Sequence, residues 1–216
     1  YYKNTLKLSS VNELYGNTPF IHVYDTAETI TLGDLRVCLL PWLCTENEYE
    51  SHVELDKTDA KFLMGHLELV GFLMFKGMRS EIGLPKTDFS KFDQVLSGHF
   101  HIKNDDGHVY YLGTPYEMMW TDYNTDRGFH IFDTDTQELE FIRNPNSLFD
   151  KIYYKEDMEI DFSAYSDKFV RLVVSEKKNP YTFDSFVDEL YAVNPAQLSI
   201  VEDFDTIEEI LDGTSH

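Results

Sequence analysis

Two short apolar runs, each closed by a glycine and a histidine, constrain this chain more than any other feature. Residues 61–64 lead into Gly65-His66, and residues 93–96 lead into Ser97-Gly98-His99-Phe100-His101. Apolar runs this short, bounded by turn residues, read as buried strands. A glycine at the strand end lets the backbone turn sharply, and strand ends are where open sheets place their ligands. His99 and His101 stand at i and i+2, so in extended chain both rings project to one side. Neutral imidazole binds divalent transition metals at about 2.0–2.2 Å. Two ions about 3.5–4 Å apart can hold a phosphodiester, activate water and stabilise the leaving oxygen. His66, His99 and His101 would supply only part of such a centre.

The other five histidines lack this context. His22 alternates with apolar residues over 20–24 and reads as the solvent face of a strand. His52 lies in the polar run 46–56, which reads as a loop. His108 follows Asp105-Asp106-Gly107, a hairpin-turn signature. His130 falls within a strand and His216 is terminal, so all five are left out of the site.

Further strands are predicted at 20–24, 29–32, 35–40, 108–112, 128–132 and 138–142, with Gly33-Asp34 suited to a tight hairpin. The loop 76–90 is long enough to be functional. After Asn144-Pro145-Asn146 the pattern changes: strand 168–174, helix 182–192 with Thr182 and Asp184 at its start, then strand 197–201. The fold class is α/β, with a main portion over 1–148 and a small β-α-β domain over 149–216.

A 42% apolar content suits a packed core rather than global disorder. No apolar stretch approaches the roughly 18–20 residues that span a bilayer, and no leader pattern opens the chain. The expectation is a cytoplasmic protein with no membrane contact. Cys38 and Cys44 lack metal or disulfide spacing and read as buried packing residues. A net charge of −21 excludes a globally basic, phosphate-gripping surface. Any DNA contact must then be local, metal-assisted or shared with a partner. Lys76, Arg79, Lys86, Lys91 and Lys103 form one candidate group for it, and Lys151, Lys155, Lys168, Arg171, Lys177 and Lys178 a second. Which residues bind DNA stays unknown at this level. The acidic run after Lys178 reads as a solvated face and tail.

Gly65-His66 and Gly98-His99-Phe100-His101 resemble the last two motifs of the calcineurin-like metallophosphoesterases. Tyr110-Tyr111-Leu112-Gly113-Thr114-Pro115-Tyr116, with Gly128-Phe129-His130-Ile131-Phe132 after it, is similar to the segment beyond the His-x-His in SbcD-type recombination nucleases. The resemblance implies a four-layer α/β/β/α sandwich with a small DNA-facing cap. It also implies the nuclease subunit of a complex that processes DNA double-strand breaks, hydrolysing phosphodiesters with two divalent metals, Mn2+, as an exo- or endonuclease. Implied partners are DNA, an SMC-like ATPase and a second copy of the chain, in the cytoplasm of a bacterial host cell if the chain is phage-encoded. By position, His66 and His99 would hold one ion and His101 the other.

The family opens with Asp-x-His, Gly-Asp and Gly-Asn-His-Asp before the segment matching Tyr1, and none of these occurs here. The chain is therefore expected to be N-terminally truncated, to hold no catalytic residue of its own and to be inactive alone. A separate C-terminal helical segment of the ATPase-binding kind is not seen either. Two other readings are open: a related phosphoesterase acting on nucleotides or phosphoproteins, and a non-catalytic dimerisation or docking module using the apolar residues 72–78.

Overall fold

The computed structural model describes Leu6 and residues 10–202, which fall into two compact units. One unit comprises Tyr1–Thr114 with Asp126–Arg143; the other comprises Pro115–Thr125 with Asn144–His216. The latter part of the acidic run, from Asp203 on, and His216 lie outside the described residues.

The first unit begins with a short helix α1 (Ser10–Tyr15), then β1 (Glu28–Leu32) and β2 (Leu35–Leu40). β1 and β2 pair antiparallel with Leu32 opposite Leu35, which is the two-residue turn anticipated at Gly33-Asp34. Helix α2 (Glu48–Lys57) carries the chain to β3 (Phe62–Gly65). Next come a small hairpin, β4 (Leu73–Phe75) with β5 (Met78–Arg79), and then β6 (Gln94–Ser97). The unit ends with β7 (Asn104–Asp105), β8 (Val109–Tyr111) and the separate hairpin β9 (Gly128–Phe132) and β10 (Leu139–Arg143).

The main sheet has the order β1-β2-β3-β6-β8-β7, with β2, β3, β6 and β8 mutually parallel and an antiparallel strand at each edge. Parallel strands are covered on both faces, so they read as unbroken apolar runs. Val37, Cys38, Leu63 and Val95 are all fully buried accordingly. The core continues through Leu67, Leu69, Phe72, Phe89, Phe100 and Tyr111. Cys38 and Cys44 are buried free thiols, as their spacing implied.

The α/β expectation therefore holds as a mixed sheet with helices. Residues 20–24 are not a strand: Phe20 takes a φ of 68°, and the segment joins no ladder among the described residues. The run 46–56, read as a loop, is mostly helix α2. Its pattern concealed it, because only Ser51 and Leu55 are buried while Tyr49 and Val53 face outward. Loop 76–90 contains β5 and a 3-10 turn over Lys86–Phe89.

The second unit is a parallel sheet in the order β11 (Phe149–Tyr154), β12 (Phe169–Val174), β13 (Gln197–Val201), with helix α3 (Pro180–Ala192). Ile152, Tyr154, Val170, Leu172 and Val174 pack with Phe183, Phe186 and Leu190 of α3. Full burial of such side chains stabilises by about 1.5–3 kcal/mol each. α3 starts before the expected Thr182: Asn179 is the N-cap, accepting the Tyr181 N–H at 3.1 Å, with Pro180 in the first turn. That Asn-Pro pair is itself a helix-start signal. Strand β11 is not evident from the sequence because Asp150 and Lys151 interrupt its apolar pattern. No helix among the described residues is long and apolar enough to cross a membrane.

Candidate metal centre

Register brings the histidine motifs together. Leu40 pairs with Gly65, Gly65 with Ser97, and Ser97 with Tyr111, so the C-terminal ends of β2, β3, β6 and β8 stop in one row. The residues leaving these strands must then gather along a single edge: Pro41-Trp42, His66, Gly98-His99 and Leu112-Gly113-Thr114. The row is tied across its end by His66 N–H to the Leu40 carbonyl (3.3 Å), Gly98 N–H to Gly65 (3.2 Å) and Leu112 N–H to Ser97 (3.0 Å). Gly65 is required by close approach, since a Cβ there would stand 2.6 Å from the Leu40 carbonyl oxygen.

The loop after His66 is clamped from below. The buried Ser97 hydroxyl accepts the Leu67 N–H at 3.0 Å and donates to the Leu67 carbonyl at 3.1 Å. The Tyr111 hydroxyl accepts the Leu69 N–H and donates to the same Leu67 carbonyl, both at 2.9 Å. Burial pushes the Tyr111 phenol well up, so it stays a neutral donor. The His-x-His loop is held in turn by the Gly113-Thr114 turn. Gly113 sits at φ 74°, where a Cβ would stand 3.0 Å from the His101 carbonyl oxygen. Thr114 N–H donates to that oxygen at 3.1 Å.

At the edge, His66 Nε2 and His99 Nδ1 lie 3.1 Å apart, with the rings nearly perpendicular at 89°. Trp42 leans on the pair, its ring 5.1 Å from that of His99 and 6.1 Å from that of His66. Burial, reinforced by the neighbouring His99, depresses the His66 pKa to about 4. Burial also lowers that of His99, opposed by the Glu68 carboxylate. Burial thus favours the neutral form of both rings, the state in which imidazole lone pairs bind metal.

Two nitrogens about 2.0–2.1 Å from one ion, at tetrahedral or octahedral angles, stand roughly 2.8–3.4 Å apart. The 3.1 Å separation of His66 and His99 fits a shared divalent ion. Among the described residues no three His, Cys, Asp or Glu side chains converge as a ligand group. Two of the three expected ligands are thus in contact, and His101 does not join them in such a cluster.

A cleft of about 370 Å³ beside His66 is lined by Trp42, Cys44, Glu48, His52 and Glu68 among others. A second, more apolar one of about 390 Å³ is lined by Ile21, Val23, Leu39, Pro41 and Met64, with Trp42 and His66 shared. Sequence reasoning does not single out Trp42, although its position directly after an apolar strand is an available signal. Its loop is fixed by buried Asn47, which donates to the Trp42 carbonyl at 3.0 Å and accepts the Cys44 N–H at 2.8 Å.

Of the remaining histidines, His52 lines the first cleft and His22 the second. His22 is exposed, His52 lies on the outer side of α2, His108 contacts the Phe92 carbonyl, and His130 packs on Phe141. Most of the candidate DNA-contacting cations are engaged within the protein. Arg79 donates to the Gly71 carbonyl, Lys86 pairs with Asp106, and Lys103 lies over Phe141. Lys91 donates to the Leu55 and Thr58 carbonyls. In the second unit Lys168 pairs with Asp150, Lys177 with Glu202 and Lys178 with Glu176. Arg171 stacks on Trp120 at 4.2 Å, and Lys151 lies over Tyr123 at 4.9 Å.

No protein-family model matches the chain. It is 35% identical over 191 residues to exonuclease subunit 1 of Enterobacteria phage T4, an alignment covering 88% of the chain and 56% of that protein. The chain thus spans about half the length of the curated relative it matches. Over most of its own length the chain is thus similar to exonuclease subunit 1 of phage T4.

Proposed function

We propose that this chain is part of the nuclease subunit of a phage recombination or DNA-processing complex, hydrolysing DNA phosphodiesters at a two-metal centre. The observation that carries the reading is the His66–His99 contact at 3.1 Å, at aligned strand ends, in a relative of an exonuclease subunit. In this reading His66 Nε2 and His99 Nδ1 hold one divalent ion, manganese, and His101 contributes to a second. Such ions supply an activated water and stabilise charge at the phosphorus. The chain's own residues keep the imidazoles neutral by burial, orient them through the strand row, and shield one side with Trp42. The complete fold would be the four-layer sandwich, and the second unit its DNA-facing cap. The word "subunit" in the relative's name supports assembly with a partner, here an SMC-like ATPase and a second copy of the chain.

The test uses the full-length protein. Manganese-dependent cleavage of duplex DNA, lost in His66→Ala and His99→Ala together with metal binding, is the expected result. Metal affinity should fall by more than the roughly 10–100-fold that changes behind the ligands cost. The charge of −21 favours a second reading, a phosphoesterase for nucleotides or phosphoproteins. Hydrolysis of a small phosphate ester with duplex DNA left intact would replace the first reading by the second.

A further inference from the structure

We propose that Arg127 is a positioning residue for His101, an inference that rests on the metal reading above. Arg127 is only 4% exposed, and its guanidinium donates through Nη1 to the His101 carbonyl and to Thr114 Oγ1, the latter at 2.6 Å. Burying a guanidinium is unfavourable unless its donors are satisfied. A chain that needed only to dock the β9–β10 hairpin here had a cheaper means, since Gly128 N–H already reaches the Thr114 carbonyl at 3.3 Å. The cation instead meets the backbone of the one histidine that stands apart from the His66–His99 pair.

The His101 carbonyl thereby receives two donors, the Arg127 guanidinium and the Thr114 N–H. Together they fix the peptide plane after His101, and with it the direction in which that residue's own Cα–Cβ bond leaves the loop. Both bonds leave the one Nη1, whose two N–H groups lie in the guanidinium plane, so the two acceptors are held in a set relation. The other end of the loop is already set by Ser97 and by the Gly98 N–H. His66 and His99 are oriented by the strand row; His101 is oriented by Arg127. The role is one of positioning, because no contact between Arg127 and a metal or substrate is implied.

The experiment is a manganese titration of the full-length protein by calorimetry, repeated with Arg127→Gln and Thr114→Val and accompanied by thermal unfolding. Wild type is expected to bind two ions. Arg127→Gln should weaken one of them by roughly 10–100-fold and leave the other unchanged. Thr114→Val keeps the arginine but removes one of its two acceptors, so the same ion should weaken by a smaller factor. A folded Arg127→Gln protein with both affinities intact would overturn the role of Arg127 alone. Should that variant not fold, Thr114→Val with both affinities intact overturns it instead. Wild type that binds no manganese removes the metal reading and the positioning role together.

Discussion

The hydroxyl of Ser97 closes a two-way bond with the backbone of Leu67, accepting its N–H at 3.0 Å and donating to its carbonyl at 3.1 Å. One buried side chain thus ties the end of β6 to the loop that carries His66. Ser97→Ala leaves the Leu67 N–H without that acceptor, at a cost of about 1–3 kcal/mol. Tyr111→Phe should cost a similar amount. Both hydroxyls donate to the same Leu67 carbonyl, so the double variant should lose measurably less or more than the sum. Urea unfolding of the four proteins checks this, and strict additivity would show that the two hydroxyls act independently.

Gly65→Ala tests the close approach of β3 to β2. The added methyl meets the Leu40 carbonyl oxygen at 2.6 Å, against backbone that cannot rotate away. The expected loss is about 1–3 kcal/mol, typical of overpacking, with His66 displaced because its N–H bonds to that same oxygen. Thermal unfolding gives the first effect. The imidazole nitrogen resonances of His66 and His99 give the second, and unchanged resonances would refute it.

Lys91 closes the C-terminal end of α2, its ammonium 2.5 Å from the Leu55 carbonyl and 2.9 Å from that of Thr58. A cation there meets the last carbonyls and the negative end of the helix dipole. Lys91→Met should destabilise by about 0.5–2 kcal/mol. Since the ammonium is already occupied, DNA affinity of the full-length protein and its salt dependence should not change. A reduced salt slope would instead make Lys91 a phosphate contact.

Asp106 gives a pH-dependent prediction. Burial raises its pKa, but the Lys86 ammonium at 2.7 Å and the His108 and Val109 N–H groups outweigh this and hold it below the usual carboxylate value. A carboxylate with a depressed folded pKa stabilises fully above its unfolded value, about 3.9. That contribution disappears as pH falls through the folded value. The stability gap between wild type and Asp106→Asn, measured by urea unfolding from pH 6 to 2, should be constant above about pH 5 and close below pH 4.

The parallel strands are legible where burial on both faces leaves an apolar run, as at Phe62–Gly65; in Gln94–Ser97 only Val95 and Leu96 carry that signal. The candidate histidines His66 and His99 are legible because a Gly-His pair closes or follows each of these strands. Helix α2 is not, since it buries only Ser51 and Leu55 and so shows no apolar stripe. Trp42 and Arg127 escape notice for a different reason. Trp42 gains meaning only once Leu40 and Gly65 are known to be register partners. Arg127 lies 26 residues along the chain from the carbonyl it holds, beyond the range of any local pattern.

The excursion of the chain from Thr114 to Asp126 has a genetic corollary. The first unit is written in two separated stretches, with part of the second spelled between them. A gene fragment stopped at Thr114 would encode all three histidines yet omit the guanidinium that grips His101. A single crossover cannot exchange one unit whole without splitting the other.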